Sequence, residues 1–234
     1  MNHHLTYFFI LACSLAGPLF LSFDKKVAFY KKWKFLFPAM VIPAISYIAW
    51  DIFFTSKGVW GFNQPYITGI MLFNLPVEEL LFFIVVPYSC IFIYECIRTY
   101  CPGFKHKKGA DIILKLLALI LLIIGIACHN KYYSSWTFIL NAVFIGIIYL
   151  RRNYFSDFDI ASFLLSWLII LIPFLIVNGF LTAIPVVWYN EAENLGIRLY
   201  TIPVEDVFYG MLLVLMNIAI YEKLQVKGND PVDN

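Results

Sequence analysis

Hydrophobic positions in this chain form long unbroken runs, with neither the alternation of a half-buried strand nor the stripe of a surface helix. Seven such runs stand out, at 5–23, 35–54, 76–97, 111–128, 134–150, 159–181 and 203–222. Wound as helices, most are long enough to cross a hydrocarbon core of about 30 Å. In lipid a spanning segment must satisfy its own backbone, which leaves only helices or a closed barrel. The absence of alternating strands excludes the barrel. The pattern therefore predicts an all-α integral membrane protein of about seven transmembrane helices, with the lipid bilayer as its solvent.

Composition reinforces this reading. Hydrophobic residues make up 62% and charged residues 14% of the chain, more apolar surface than a water-soluble domain of this size can hide. The run at 6–23 is not expected to be a signal peptide, because no Lys or Arg precedes it whereas Lys25, Lys26, Lys31, Lys32 and Lys34 follow it. With the first helix inserted from outside, those lysines share the inner side with Arg98, Lys105, Lys107, Lys108, Arg151, Arg152, Lys223 and Lys227. Lys57, Lys131 and Arg198 fall outside. The asymmetry predicts a cell-membrane protein with an outer amino terminus and a cytoplasmic carboxyl terminus. It also explains the basic residues, so the net charge of +2 calls for no nucleic-acid partner.

The chain also repeats itself. Asn74-Leu75-Pro76-Val77-Glu78-Glu79 recurs as Thr201-Ile202-Pro203-Val204-Glu205-Asp206, an offset of 127 from position 76 to position 203. The same ungapped offset pairs Asp51 with Asn178, Thr55 with Thr182, Val59 with Val186, Asn63 with Asn190 and Gly69-Ile70 with Gly196-Ile197. A duplication of this extent divides the chain into a first three-helix repeat (1–100), a linker helix (101–130) and a second three-helix repeat (131–234). Three helices lie between the first helices of the two repeats, so the repeats are parallel, related by a pseudo-twofold axis along the membrane normal.

Each repeat carries its acids beside a proline at the start of its third helix. Proline is ordinary there, and carboxylates are ordinary beside the positive end of a helix dipole. Capping accounts less well for four acids entering Leu80-Leu81-Phe82-Phe83 and Val207-Phe208-Tyr209, since ionisable groups at membrane depth suggest function. Neighbouring helical residues point about 100° apart, so one acid of each pair can face the interior. Glu78 and Glu205, the identical members, are the expected pair, with Glu79 and Asp206 as candidate supports. Asp51, Asn178, Asn63 and Asn190 are candidates to hydrogen-bond those carboxyl groups or to satisfy loop backbone. Trp50, Trp60, Trp188, Tyr66, Tyr189 and Tyr200 suit either a pocket lining or an interfacial aromatic belt; Trp60 is carried forward as a pocket candidate. Neither Cys13, Cys90, Cys96, Cys101 and Cys128 nor His3, His4, His106 and His129 has the spacing of a metal site, and none is expected.

Pro76-Val77-Glu78-Glu79 and Pro203-Val204-Glu205-Asp206, with Trp50-Asp51 upstream, resemble the Pro-x-Glu-(Glu/Asp) signature of the membrane-embedded lycopene cyclases. In that family the two halves are separate polypeptides in some bacteria and fused in archaea and fungi. The resemblance covers essentially the whole chain. It implies redox-neutral closure of the linear ψ ends of lycopene, or a related carotenoid, into β-ionone rings, giving γ- or β-carotene. Such chemistry needs a protonated acid, a base and exclusion of water, and the expected arrangement has Glu78 and Glu205 converging with Glu79, Asp206 and Asp51 holding them. No G-x-G-x-x-G follows a strand, so no flavin or nicotinamide cofactor is expected. The soluble part of the fungal fusions has no counterpart, so phytoene synthase activity is not expected either. A homo-oligomer is left open.

Three other classes share parts of this description. Parallel three-helix repeats also build SWEET-like transporters, although a sugar path should offer more amides and hydroxyls at mid-membrane. A retinal-binding rhodopsin needs a mid-membrane lysine in its last helix, where this chain has only Lys223 at the inner end. Another isoprenoid-modifying enzyme, such as a prenyltransferase, should show D-D-x-x-D.

Overall fold

A computed structural model describes residues 3–104 and 109–229, with side chains to residue 226. Lys105, His106, Lys107, Lys108 and the Lys227 side chain lie outside the described residues. Among the described residues, seven helices are long and apolar enough to cross a membrane: α1 Thr6–Leu21, α2 Trp33–Ser56, α3 Val77–Tyr100, α4 Ala110–Ala127, α5 Tyr132–Leu150, α6 Ile160–Ala183 and α7 Val204–Asn229. Six of them start and stop within a few residues of the apolar runs. The exception is α7, whose final turns continue through Glu222, Lys223 and Gln225, good helix formers that a hydropathy pattern undercounts.

The repeat is visible element by element. Helices α2 and α6 have 24 residues each and begin 127 positions apart. Strand β1 (Trp60–Phe62) answers β4 (Val187–Tyr189), and the hairpin of β2 (Met71–Leu72) and β3 (Leu75–Pro76) answers that of β5 (Arg198–Leu199) and β6 (Ile202–Pro203). These strands lie in the two long connections, between α2 and α3 and between α6 and α7.

Strands β1 and β4 pair antiparallel, with Gly61 opposite Trp188, its own counterpart. A strand meets its equivalent in antiparallel register when a twofold axis passes between them. The bonds around this ribbon are reciprocal: Asn63 N–H donates to Val186 O and Asn190 N–H to Val59 O. Both connections thus close over one end of the bundle, here called the ribbon end.

Gly61 is required at the axis. A Cβ there would lie 2.5 Å from the Trp188 indole, closer than real contacts allow. Gly61→Val is expected to cost about 1–3 kcal/mol by overpacking and to lower the melting temperature in detergent. Gly17→Val, at a position with no neighbour within 4 Å, serves as the control and should leave the melting temperature nearly unchanged.

The opposite end is held by a buried charged clasp. Tyr94 of α3 donates to Glu222 Oε1 of α7 (2.5 Å), and its counterpart Tyr221 donates to Glu95 Oε1 (2.8 Å). Lys32 pairs with Glu95 (2.5 Å) and Arg98 with Glu222 (3.0 Å). The Asp159 N–H and the Gln225 amide complete the two sets at 3.0 and 3.1 Å. Each half therefore supplies the phenol that satisfies the other half's carboxylate.

Candidate active site

The acids of α3 and α7 lie under the ribbon end, in the first turn of each helix. Val77 N–H donates to Ile70 O and Val204 N–H to Ile197 O, folding each hairpin back over its helix start. That fold-back decides which acid faces where. The hairpin segment presents the Thr68 N–H to Glu78 Oε1 and the Leu195 N–H to Glu205 Oε1, both at 2.7 Å. Ser134 Oγ also donates to Glu205 Oε1 (2.5 Å). Glu78 and Glu205 are fully buried beneath the hairpins.

The expected convergence of Glu78 and Glu205 is therefore not what the structure shows. One residue further along each helix, Glu79 and Asp206 turn about 100° away and line a common cavity of ≈ 50 Å³. Asp51, near the end of α2, lines the same space.

Phenols surround these three carboxyl groups. Tyr7 of α1 donates to Glu79 Oε2 (2.6 Å) and Tyr209 of α7 to Asp51 Oδ1 (2.6 Å). Asp206 accepts from both Tyr133 of α5 and Tyr189 of β4, the latter at 2.8 Å. Asp51 and Glu79 border the same cavity, each with one oxygen taken by a phenol. Tyr189, on the connection outside the spanning helices, has its phenol held well above the usual range by burial and then by Asp206, so it stays a donor. Trp60 closes one wall, its ring 4.9 Å from Tyr133 and 5.8 Å from Tyr209, while Tyr133 stacks on Tyr189 at 5.9 Å.

The remaining candidates divide. Asn178 lines the cavity and donates to Phe174 O in its own helix (3.1 Å). Asn63 bonds Pro185 O, and Asn190 accepts from the Ala192 N–H (3.1 Å); both satisfy loop backbone. Tyr200 is 85% exposed at a hairpin tip and is no part of the cavity. Trp188 is 42% exposed. Among the described residues no group of three or more His, Cys, Asp and Glu is placed to hold a metal ion.

Chemically, the cavity can keep a proton on one carboxyl group and an acceptor on another among aromatic rings. Ring faces stabilise a nearby cation by about 0.5–2 kcal/mol each. The cavity has room for a few waters, which a substrate has to displace.

Sequence comparison matches this architecture to a known family. A profile described as lycopene cyclase matches residues 4–97 and 130–224, which takes in six of the seven helices and every side chain of the cavity. The chain belongs to the lycopene cyclase family. The segment between the matched stretches holds α4, the helix between the two repeats.

Among curated relatives of this family member, a bifunctional lycopene cyclase/phytoene synthase of Aspergillus oryzae is 22% identical over 156 residues, covering 65% of this chain and 23% of the relative. A protein of the same description from Leptosphaeria maculans is 30% identical over 86 residues, covering 36% of this chain and 13% of the relative. This chain thus aligns with less than a quarter of the length of either relative. No solved structure gives a significant match.

Of the phenols that dress the family signature, the sequence points to Tyr189 but not to Tyr7, Tyr133 or Tyr209. Tyr7 and Tyr133 are equivalent in the structure, yet they stand 126 rather than 127 residues apart. An ungapped register misses them by one position. Tyr209 stood in plain view in the second motif's apolar run, but its counterpart is Phe82, so no repeated polar residue drew attention to it.

Proposed function

We propose that this chain is a carotenoid cyclase that closes linear ψ ends of lycopene, or a closely related polyene, to β-ionone rings by acid–base catalysis. The observation that carries the proposal is the junction of Asp51, Glu79 and Asp206 in one small aromatic cavity. The residues divide the work by their partners. Two carboxyl groups bordering one small buried cavity hold a proton more readily than both ionise, so the Asp51–Glu79 pair is the proton donor. Asp206, accepting two phenol protons, is furnished as a carboxylate and is the base.

In the reaction, the proton adds to the terminal double bond and leaves a tertiary carbocation. The neighbouring double bond attacks that cation and closes the six-membered ring. A proton then departs to Asp206, leaving the ring double bond, and no electrons are exchanged overall. Trp60, Tyr133 and Tyr209 line the cavity, where a ring face turned to the developing charge stabilises it. Glu78 and Glu205 serve as positioning residues that tie the hairpins down over the site. The duplicated helices form two structural repeats, 1–100 and 131–234, around 101–130, and the cations between α1 and α2 set the chain in the cell membrane with its amino terminus outside.

The test is pigment analysis of a lycopene-accumulating bacterium that expresses the chain, with products separated against lycopene, γ-carotene and β-carotene. Cyclic carotene supports the proposal. Unchanged lycopene, with the protein confirmed in the membrane, sinks it. A smaller effect is expected from Ser134→Ala, which removes one of the two donors to Glu205: about 1–2 kcal/mol of stability, read as a lower melting temperature with the ratio of γ- to β-carotene unchanged.

A further inference from the structure

Two grooves open toward lipid on opposite flanks of the bundle, and the repeat relates them. One, of ≈ 990 Å³, lies between α1, α3 and α6; the other, of ≈ 500 Å³, lies between α5, α7 and α2. Both are lined almost wholly by apolar side chains. Only the first adjoins the acidic cavity, with Val86, Phe174 and Asn178 lining both. The second shares no lining residue with the cavity.

The barrier in the second groove is built from three rings. Tyr47 and Trp50 of α2 lie 4.8 and 5.0 Å from Tyr209 of α7. Hydrogen bonds fix the barrier in place, from Tyr209 to Asp51 (2.6 Å) and from Tyr47 to Tyr209 O (2.9 Å). At the equivalent positions of the first groove stand Phe174, Val177 and Phe82, none of which has a polar atom to pin it. The backing residue differs as well. Phe83 packs behind Tyr47 at 5.6 Å, whereas its counterpart Gly210 leaves Phe174 so close that an added Cβ would lie 2.8 Å from the ring.

We propose, on the cyclase reading above, that the polyene enters sideways from the bilayer through the α1/α3/α6 groove alone. During ring closure the reacting end occupies the acidic cavity and the rest of the chain lies in this groove. Phe174, resting on Gly210, is the residue that yields as the end passes. From Leu5 to Pro18 the groove follows α1 for about 20 Å, a length suited to a linear hydrocarbon. With one entrance, the two ends of a substrate cannot be handled together. The monocyclic product must withdraw and re-enter reversed before the second ring forms.

The test compares wild type with three tryptophan variants in lycopene-accumulating cells, at matched protein levels in the membrane. Cys13→Trp and Ile176→Trp fill the α1/α3/α6 groove from two different helices, and Val143→Trp fills the other groove. Conversion should fall by about 10²-fold in the first two, since misplacing a substrate by about 1 Å already costs that much. Val143→Trp should stay within about twofold of wild type. If the four chains convert lycopene equally, the groove holds only lipid and the inference is overturned. Loss in Val143→Trp alone, or in all three variants, overturns it too. Wild type that converts nothing overturns the cyclase reading instead.

Discussion

Glu79→Gln is expected to leave lycopene open-ended, with conversion to cyclic carotenes falling by about 10²–10⁴-fold, the usual contribution of a positioned acid or base. Glutamine keeps the size of the side chain and an acceptor for the Tyr7 phenol (2.6 Å), so the helix start and the cavity wall persist. What it removes is the acid that borders the cavity with Asp51. Asp206→Asn should fall by a similar factor, because an amide oxygen is a far weaker base. Membrane abundance and melting temperature should stay near wild type in both.

Glu78→Ala supplies the contrast. Its carboxylate faces the Thr68 N–H (2.7 Å) beneath the hairpin, and its loss should cost about 1.5–3 kcal/mol of stability. The variant should melt earlier, and its activity per folded molecule should fall less than that of Glu79→Gln. Full turnover in Glu79→Gln at normal protein levels would move the acid elsewhere.

The largest expected change in stability lies at the far end of the molecule. Glu222 is buried and accepts from Tyr94, from the Asp159 N–H and from Arg98 at 2.5, 3.0 and 3.0 Å. Glu222→Ala leaves three donors without their acceptor in a site that water reaches poorly, at a cost of about 3–5 kcal/mol. Arg98 is partly exposed and can turn outward, which favours the lower end. Lys223→Ala, one residue away, breaks a 3.6 Å pair with Asp157 and a cation–π contact with Tyr154 at 5.2 Å and should change stability by less than about 1 kcal/mol. Thermal unfolding of both proteins in one detergent separates the cases. Equal melting temperatures would show that the clasp contributes little.

Much of this architecture was legible in the sequence. Apolar runs place helices because lipid permits little else, and the offset of 127 placed Pro76 and Pro203 at matching helix starts. Residue spacing alone could not choose between Glu78 and Glu79. Helical geometry says that one of two neighbours faces inward, but the hairpins that cover the other are tertiary structure. Favouring the identical pair followed chemical sameness, and the structure gave the cavity to the dissimilar pair, Glu79 and Asp206. The clasp was legible in principle, since Tyr94-Glu95 recurs as Tyr221-Glu222 at the same offset. It passed unnoticed because those residues sit where a polar helix end needs no explanation.

The clasp also bears on how such a chain arises. Tyr94 reaching Glu222 while Tyr221 reaches Glu95 is the reciprocal pattern of an isologous dimer, in which residue i meets j and j meets i. Two copies of one gene product can make such a contact, but every substitution they acquire appears on both sides of the axis at once. Duplicating the gene lifts that constraint, whether the halves stay separate or share one reading frame. Asp51 stands opposite Asn178, Tyr209 opposite Phe82 and Gly210 opposite Phe83, and each difference makes the two flanks of the cavity unlike. Gene duplication is thus what allows a pocket of symmetric ancestry to treat a substrate asymmetrically, with one flank open and the other sealed.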